Sequence, residues 1–207
     1  MNDASVHCPI AYGSIAFWLG KKAEETQTHR WTLFVRGPHG EDISYFISKV
    51  VFFLHESFAQ PVRTVAEPPF ELSENGWGEF DCRIRLHFKD EREAPVEFNH
   101  LLRLFPPGNV QQSKKPVLTE KYDEIVFTNP SPEFFGLINR DAQKKVLAAN
   151  PLQDHFTVFS ETQDVERLVA AQHVITAELN LAKRGLAQIE NEKVALRARL
   201  AEKAAAP

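Results

Sequence analysis

The chain has 207 residues, 43% hydrophobic and 25% charged, which suits one globular domain with an appendage and excludes a disordered or collagen-like chain. No apolar run approaches the roughly 18 to 20 residues of a membrane span, and the N-terminus has no basic region followed by an apolar stretch, so no export signal is expected. The formal net charge of −4 is spread without a basic cluster, and two cysteines are too few for a disulfide framework or a cysteine-based zinc site; a reduced compartment is the expectation, and a polyanion binder is not.

In chain order, strands are predicted over Tyr12–Leu19, His29–Arg36, Ile47–His55, Val62–Val65, Phe80–Phe88, Pro95–Phe105 and Val117–Phe127, separated by Gly, Pro and polar clusters such as RGPHGED and FPPGN. The clearest is FDCRIRLHF, where Phe80, Cys82, Ile84, Leu86 and Phe88 alternate with Asp81, Arg83, Arg85 and His87. Period two of this kind gives one buried and one wet face. KVVFFLH and HLLRLF are apolar on both faces, as strands covered on both sides are. About seven or eight short strands with turns between them predict an antiparallel β-sandwich. Pro130 and Pro132 then punctuate the chain, and the spacing of Phe134, Leu137 and Ile138 predicts a short helix closing the domain.

Beyond this point the physical character changes. All aromatic residues lie between Tyr12 and Phe159, and none falls in the last 48 residues. From Val165 to Lys203 a stepping of three and four residues runs without a slip. Its a positions are Val165, Gln172, Leu179, Leu186, Lys193 and Leu200; its d positions are Leu168, Ile175, Ala182, Ile189, Leu196 and Lys203. A coiled coil of about five heptads is predicted, with Gln172 and Lys193 as the polar residues that help to set register and strand number. The alternative is a single amphipathic helix folded back on its own domain. The expected divisions are 8–140 for the sandwich, 141–160 for a linker with a short helical segment, and 161–204 for the coiled coil.

Three stretches stand at strand ends: THRW at Thr28–Trp31, LHESF at Leu54–Phe58, and NGWGEF at Asn75–Phe80. Sandwich loops cluster at two ends, and a shared end would bring these together. Each has an ordinary structural reading as well: Trp31 as core, His29 and His55 as hydrogen-bonded histidines, Ser57 bonding a neighbouring backbone group. Trp77 differs, because Gly76 and Gly78 leave its amide and ring without flanking side chains, which suits a flat ligand.

At these residues the chain resembles the YEATS domain family, in particular its short members with a C-terminal coiled coil. The resemblance runs from about Pro9 to Pro132, through YGSIAFWLGKK, THRWTLFVRG, KVVFFLHESF, GWGEF and KKPVLTEKYDEIVF. It implies an immunoglobulin-like sandwich that binds acetyl- or crotonyl-lysine on histone tails. It also implies a nuclear subunit of a histone acetyltransferase or histone-exchange complex. By the same resemblance Phe58 and Trp77 form the walls of an aromatic slot, and Ser57 Oγ and the Trp77 amide bind the acyl amide. His29, His55, Gly76, Gly78 and Phe80 line the slot. Phe58 stands where other members commonly have Tyr, and Gln27 where some have Phe.

Acylation removes the lysine charge, so the side chain can be desolvated without the cost of burying an ammonium ion. Partners beyond histone tails would come through the coiled coil, as a homodimer or a hetero-assembly. No enzyme is expected, since no nucleophile elbow, phosphate loop or HExxH motif is present. Neither a cofactor, a metal, a membrane nor direct sequence-specific nucleic-acid binding is expected. A structural adaptor with a non-binding pocket is the alternative.

Overall fold

The computed structural model describes residues 5–108, 114–139 and 150–204. Eight strands form two four-stranded antiparallel sheets. The first sheet has the order β5 (Phe70–Gly76), β2 (His29–Arg36), β1 (Ser5–Trp18), β8 (Val117–Thr128). The second has the order β4 (Val62–Val65), β3 (Ile47–Phe53), β6 (Phe80–Phe88), β7 (Val96–Leu102). This is the all-β sandwich expected from the alternating patterns, and β6 buries Cys82, Ile84, Leu86 and Phe88 as its period requires.

The inner faces meet over Ile10, Trp31, Leu33, Phe46, Val50, Phe52, Ile84 and Leu102, all at most 1% exposed. Each large side chain buried in this way contributes about 1.5–3 kcal/mol of transfer free energy before entropy is counted. The doubly apolar strand β3 is covered outside as well: the guanidinium carbons of Arg83 and Arg85 lie 4.7 and 5.0 Å from the centre of the Phe53 ring. Both cysteines are buried thiols that form no disulfide, and burial pushes the Cys82 thiol up to about 12.

Two elements differ from expectation. Strand β1 begins at Ser5 rather than Tyr12; residues 5–10 pair only with β8, so Pro9 leaves no ladder bond unmade on the β2 side. Strand β5, FELSENG, was not expected because only Phe70 and Leu72 are large and apolar. It is held from outside its own sequence, by pairing along β2 from Val35↔Phe70 to His29↔Gly76. Gly13 shows the tightness of the first sheet: a Cβ there would meet the Thr119 carbonyl oxygen at 2.1 Å.

Helix α1 (Pro132–Ile138) follows, with Ser131 Oγ accepting from the Phe134 amide at 3.2 Å and Phe134 and Ile138 buried. The rest of the segment expected to be helical or linker, residues 140–149, lies outside the described residues. Residues 150–159 belong to the sandwich unit, which spans residues 1–159; residues 160–207 are a second unit. Within the latter, α2 (Thr162–Ala204) is one 43-residue helix that spans every heptad position from Val165 to Lys203.

Candidate functional site

The sheet register explains why three separated sequences meet. His29 opens β2 directly opposite Gly76 at the end of β5, so the THRW and NGWGEF stretches share one end of the first sheet. In the second sheet β3 ends at Phe53 opposite Arg83, which puts the LHESF turn beside the start of β6 at Phe80. Together they form an open groove of about 500 Å³ lined by His55, Ser57, Phe58, Gly76, Trp77, Gly78 and Phe80, with Thr26, Asn75 and Glu79.

Aromatic packing builds this groove from the core outwards. Trp31, 0% exposed, sets its ring edge-on to Phe58 and Phe80, each 5.8 Å away between centroids. Phe58 and Phe80 lie 5.7 Å apart. Edge-to-face contacts of this kind hold rings at fixed angles, and each contributes about 0.5–1.5 kcal/mol beyond area burial. Trp77 is different: it is 64% exposed, so one large flat face is left to solvent at the groove.

The polar groups are positioned by short local bonds. Ser57 Oγ lies 3.0 Å from His55 Nδ1, and the Ser57 amide donates to the same nitrogen at 3.3 Å. A nitrogen that accepts from the amide also accepts the hydroxyl proton, which leaves the Ser57 oxygen lone pairs free to receive an N–H. The two glycines have different reasons. At Gly76 a Cβ would sit 3.0 Å from Trp31 Nε1, whereas at Gly78 it would meet nothing within 4 Å. A side chain at Gly76 would thus crowd the buried Trp31, whereas Gly78 leaves room on the outside, where a ligand would lie.

His29 is the one expected lining residue that does not line the groove. It is 1% exposed, its Nδ1 lies 2.9 Å from Thr28 Oγ1, and its ring packs edge-on to Phe105 at 5.2 Å. Burial lowers its pKa, partly opposed by Glu79. It supports the groove from behind.

Glu79, Thr26 and Asn75 were not singled out in the sequence. Glu79 Oε1 accepts from the amides of Leu104 at 2.8 Å and Phe105 at 3.1 Å, tying the Trp77 loop to the chain after β7. Asn75 Nδ2 donates to Gln27 Oε1 at 3.2 Å and links the third stretch to the residue just before the first. The Glu of GWGEF was visible as part of a motif, but its partners, 25 and 26 residues further along, were not.

The chain is similar in sequence and fold to known proteins. The model of the YEATS family matches residues 26–106. The chain is 41% identical to a protein AF-9 homolog of Eremothecium gossypii, over 91% of this chain and 94% of that protein. It is 38% identical to the transcription initiation factor TFIID subunit 14b of Arabidopsis thaliana, over 93% of this chain and 82% of that protein. Among solved structures, the Yaf9 YEATS domain bound to H3K27ac is 46% identical with a TM-score of 0.60, covering 67% of this chain and 96% of that one. The same domain recognising an H3K122suc peptide has a TM-score of 0.58 at the same identity and coverage.

Proposed function

The chain belongs to the YEATS family, and from that premise we propose that it is a chromatin reader that binds acylated lysine of histone tails in the groove between Phe58 and Trp77. One observation supports this most: the exposed Trp77 face and the Ser57 hydroxyl border the same open aromatic groove. The acyl amide is placed with its N–H on Ser57 Oγ and its carbonyl on the Trp77 amide. Leaving either group dry and unpaired would cost about 1–3 kcal/mol. A planar crotonyl group fills the slot better than acetyl, because it stacks over more of each ring. His55, Gly76, Gly78 and Phe80 complete the wall, and His29 backs it.

Titrating histone-tail peptides with unmodified, acetyl- and crotonyl-lysine by calorimetry tests this reading. Crotonyl and acetyl peptides should bind in the micromolar range, and the unmodified peptide at least about tenfold more weakly, since its ammonium must be desolvated. Equal affinity for all three would leave only the adaptor role.

The second unit fits assembly. Val165, Leu168, Ile175, Leu179, Leu186, Ile189, Leu196 and Leu200 form one seam along α2, and each is at least half exposed on the helix. We propose that this seam pairs as a coiled coil, with a second copy or with another subunit of a histone acetyltransferase or histone-exchange complex in the nucleus. We propose 8–140 as the sandwich proper and 161–204 as the coiled coil, with 141–160 connecting them and its residues 150–159 belonging to the sandwich unit. A homodimer would place two grooves on one particle and raise avidity about 10²-fold or more. The expected result is that a chain truncated at residue 160 is monomeric by light scattering and the full chain is not. A full chain that is also monomeric would remove the homodimer and leave the hetero-assembly.

A further inference from the structure

Residues 150–158 of the sandwich unit border a second cavity together with the end of β2, the 38–43 loop and the start of β5. It is partly enclosed and measures about 210 Å³, below the roughly 300–1,000 Å³ of pockets for drug-sized ligands, and is of a size for a single side chain. Val35, Ile43, Phe70 and Phe156 supply apolar walls, and Arg36, Glu41 and Glu71 supply the charges.

The one guanidinium among these is already committed. Arg36 Nε donates to Glu120 Oε1 at 2.7 Å, Nη1 to the carbonyls of Gly37 and Pro38 at 3.0 and 2.7 Å, and Nη2 to the Thr157 carbonyl at 3.0 Å. Its flat face lies 4.5 Å from the centre of the Phe156 ring. Arg36 is therefore a structural clamp neutralised by Glu120 and is not available to bind an anion.

The two carboxylates have no such counterpart. Glu41 is 5% exposed and accepts from the His39 amide at 2.7 Å; Glu71 accepts from Asn150 Nδ2. Neither has a Lys, Arg or His side-chain nitrogen within 4.0 Å among the described residues. Burial raises the Glu71 pKa, against the Asn150 bond that lowers it, as expected for a carboxylate without a cation. Apolar walls beside carboxylates that have no cationic side chain within 4.0 Å among the described residues match a group that is apolar along its length and cationic at its tip.

We propose that this cavity binds an unmodified lysine side chain of a basic peptide, its stem against Val35, Phe70 and Phe156 and its ammonium between Glu41 and Glu71. The aromatic groove would take a lysine only after its charge is removed; this cavity would take one only while its charge is kept. The proposal does not rest on the groove binding acyl-lysine.

Amide chemical-shift titration of the full-length chain tests it, with Nα-acetyl-lysine methylamide as probe and Nα-acetyl-norleucine methylamide as its uncharged counterpart. The lysine probe should give saturable shifts at Glu41, Phe70 and Glu71 in the millimolar range, and norleucine at least fivefold weaker ones. Glu71→Gln, which keeps the acceptor for Asn150, should weaken lysine binding at least fivefold; Glu41→Gln is the second variant should the first misfold. Absence of saturable shifts at these amides, equal binding of norleucine, or full affinity in a folded Gln variant would overturn the proposal.

Discussion

Trp77→Ala should lower affinity for an acetyl- or crotonyl-lysine peptide by at least about tenfold, or ~1.4 kcal/mol, while leaving the melting temperature close to that of the parent chain. The two halves of this expectation have separate causes. Trp77 is 64% exposed and packs against no other ring among the described residues, so its removal opens no core cavity. Surface changes of this kind usually alter stability by no more than about 0.5 kcal/mol. Binding is different, because the proposed slot has Phe58 held by Trp31 and Phe80 on one side and only the Trp77 ring on the other. Alanine keeps the backbone amide, so the hydrogen bond to the acyl carbonyl survives and the stacking is lost. The preference for crotonyl over acetyl should therefore shrink along with the affinity. Calorimetry on both peptides and a thermal melt measure this, and an unchanged affinity would remove Trp77 from the site.

The second large effect concerns folding. His100 on β7 is 1% exposed and crosses the sandwich, its Nε2 2.8 Å from Ser14 Oγ on β1, while its buried Nδ1 has no hydrogen-bond partner among the described residues. Burial, with Lys121 adding to it, holds the folded-state pKa down at about 4 against an ordinary 6.5. The protonated ring carries an N–H on both nitrogens whichever tautomer the neutral ring adopts, and among the described residues nothing receives the one on Nδ1. Between pH 6.5 and 4 the unfolded chain takes up this proton and the folded chain does not. The contribution of a neutral His100 to stability is thus fully present above pH 6.5 and declines as pH falls toward 4. At pH 5 the loss is about 2 kcal/mol. Denaturant unfolding of the parent chain and of His100→Gln at pH 7.5 and pH 5 isolates the effect, since other titrating groups are common to both. Equal losses in the two proteins would show that His100 is not the source.

Both predictions draw on residues whose meaning lay at different depths. The period-two pattern of β6 and the heptads of α2 are local properties, and the structure has a strand and a helix where those patterns stand. Apolar side chains recurring every second residue, or every three and four, leave one way to bury a face or present a seam, so element type was legible without any partner. The GWGEF motif was legible in the same way, as an aromatic residue stripped of neighbours by glycine. Strand β5 was not, because its ordering comes from hydrogen bonds to β2, and hydrogen-bonding partners across a sheet leave no mark on the spacing of side chains.

The site divides along the same line. By itself the sequence determined which residue types are present at the strand ends and that the chain changes from aromatic sandwich to aromatic-free helix after Phe159. Only the tertiary structure decided that His29 is buried away from the groove, that a side chain at Gly76 would crowd Trp31 beneath it, and that Glu79 fastens the Trp77 loop to residues 104 and 105. It likewise decided that Glu41 and Glu71 share a second cavity at the other end of β2. The reason is that burial and contact between residues tens of positions apart depend on sheet register and on how two sheets face each other, which local pattern constrains but does not specify.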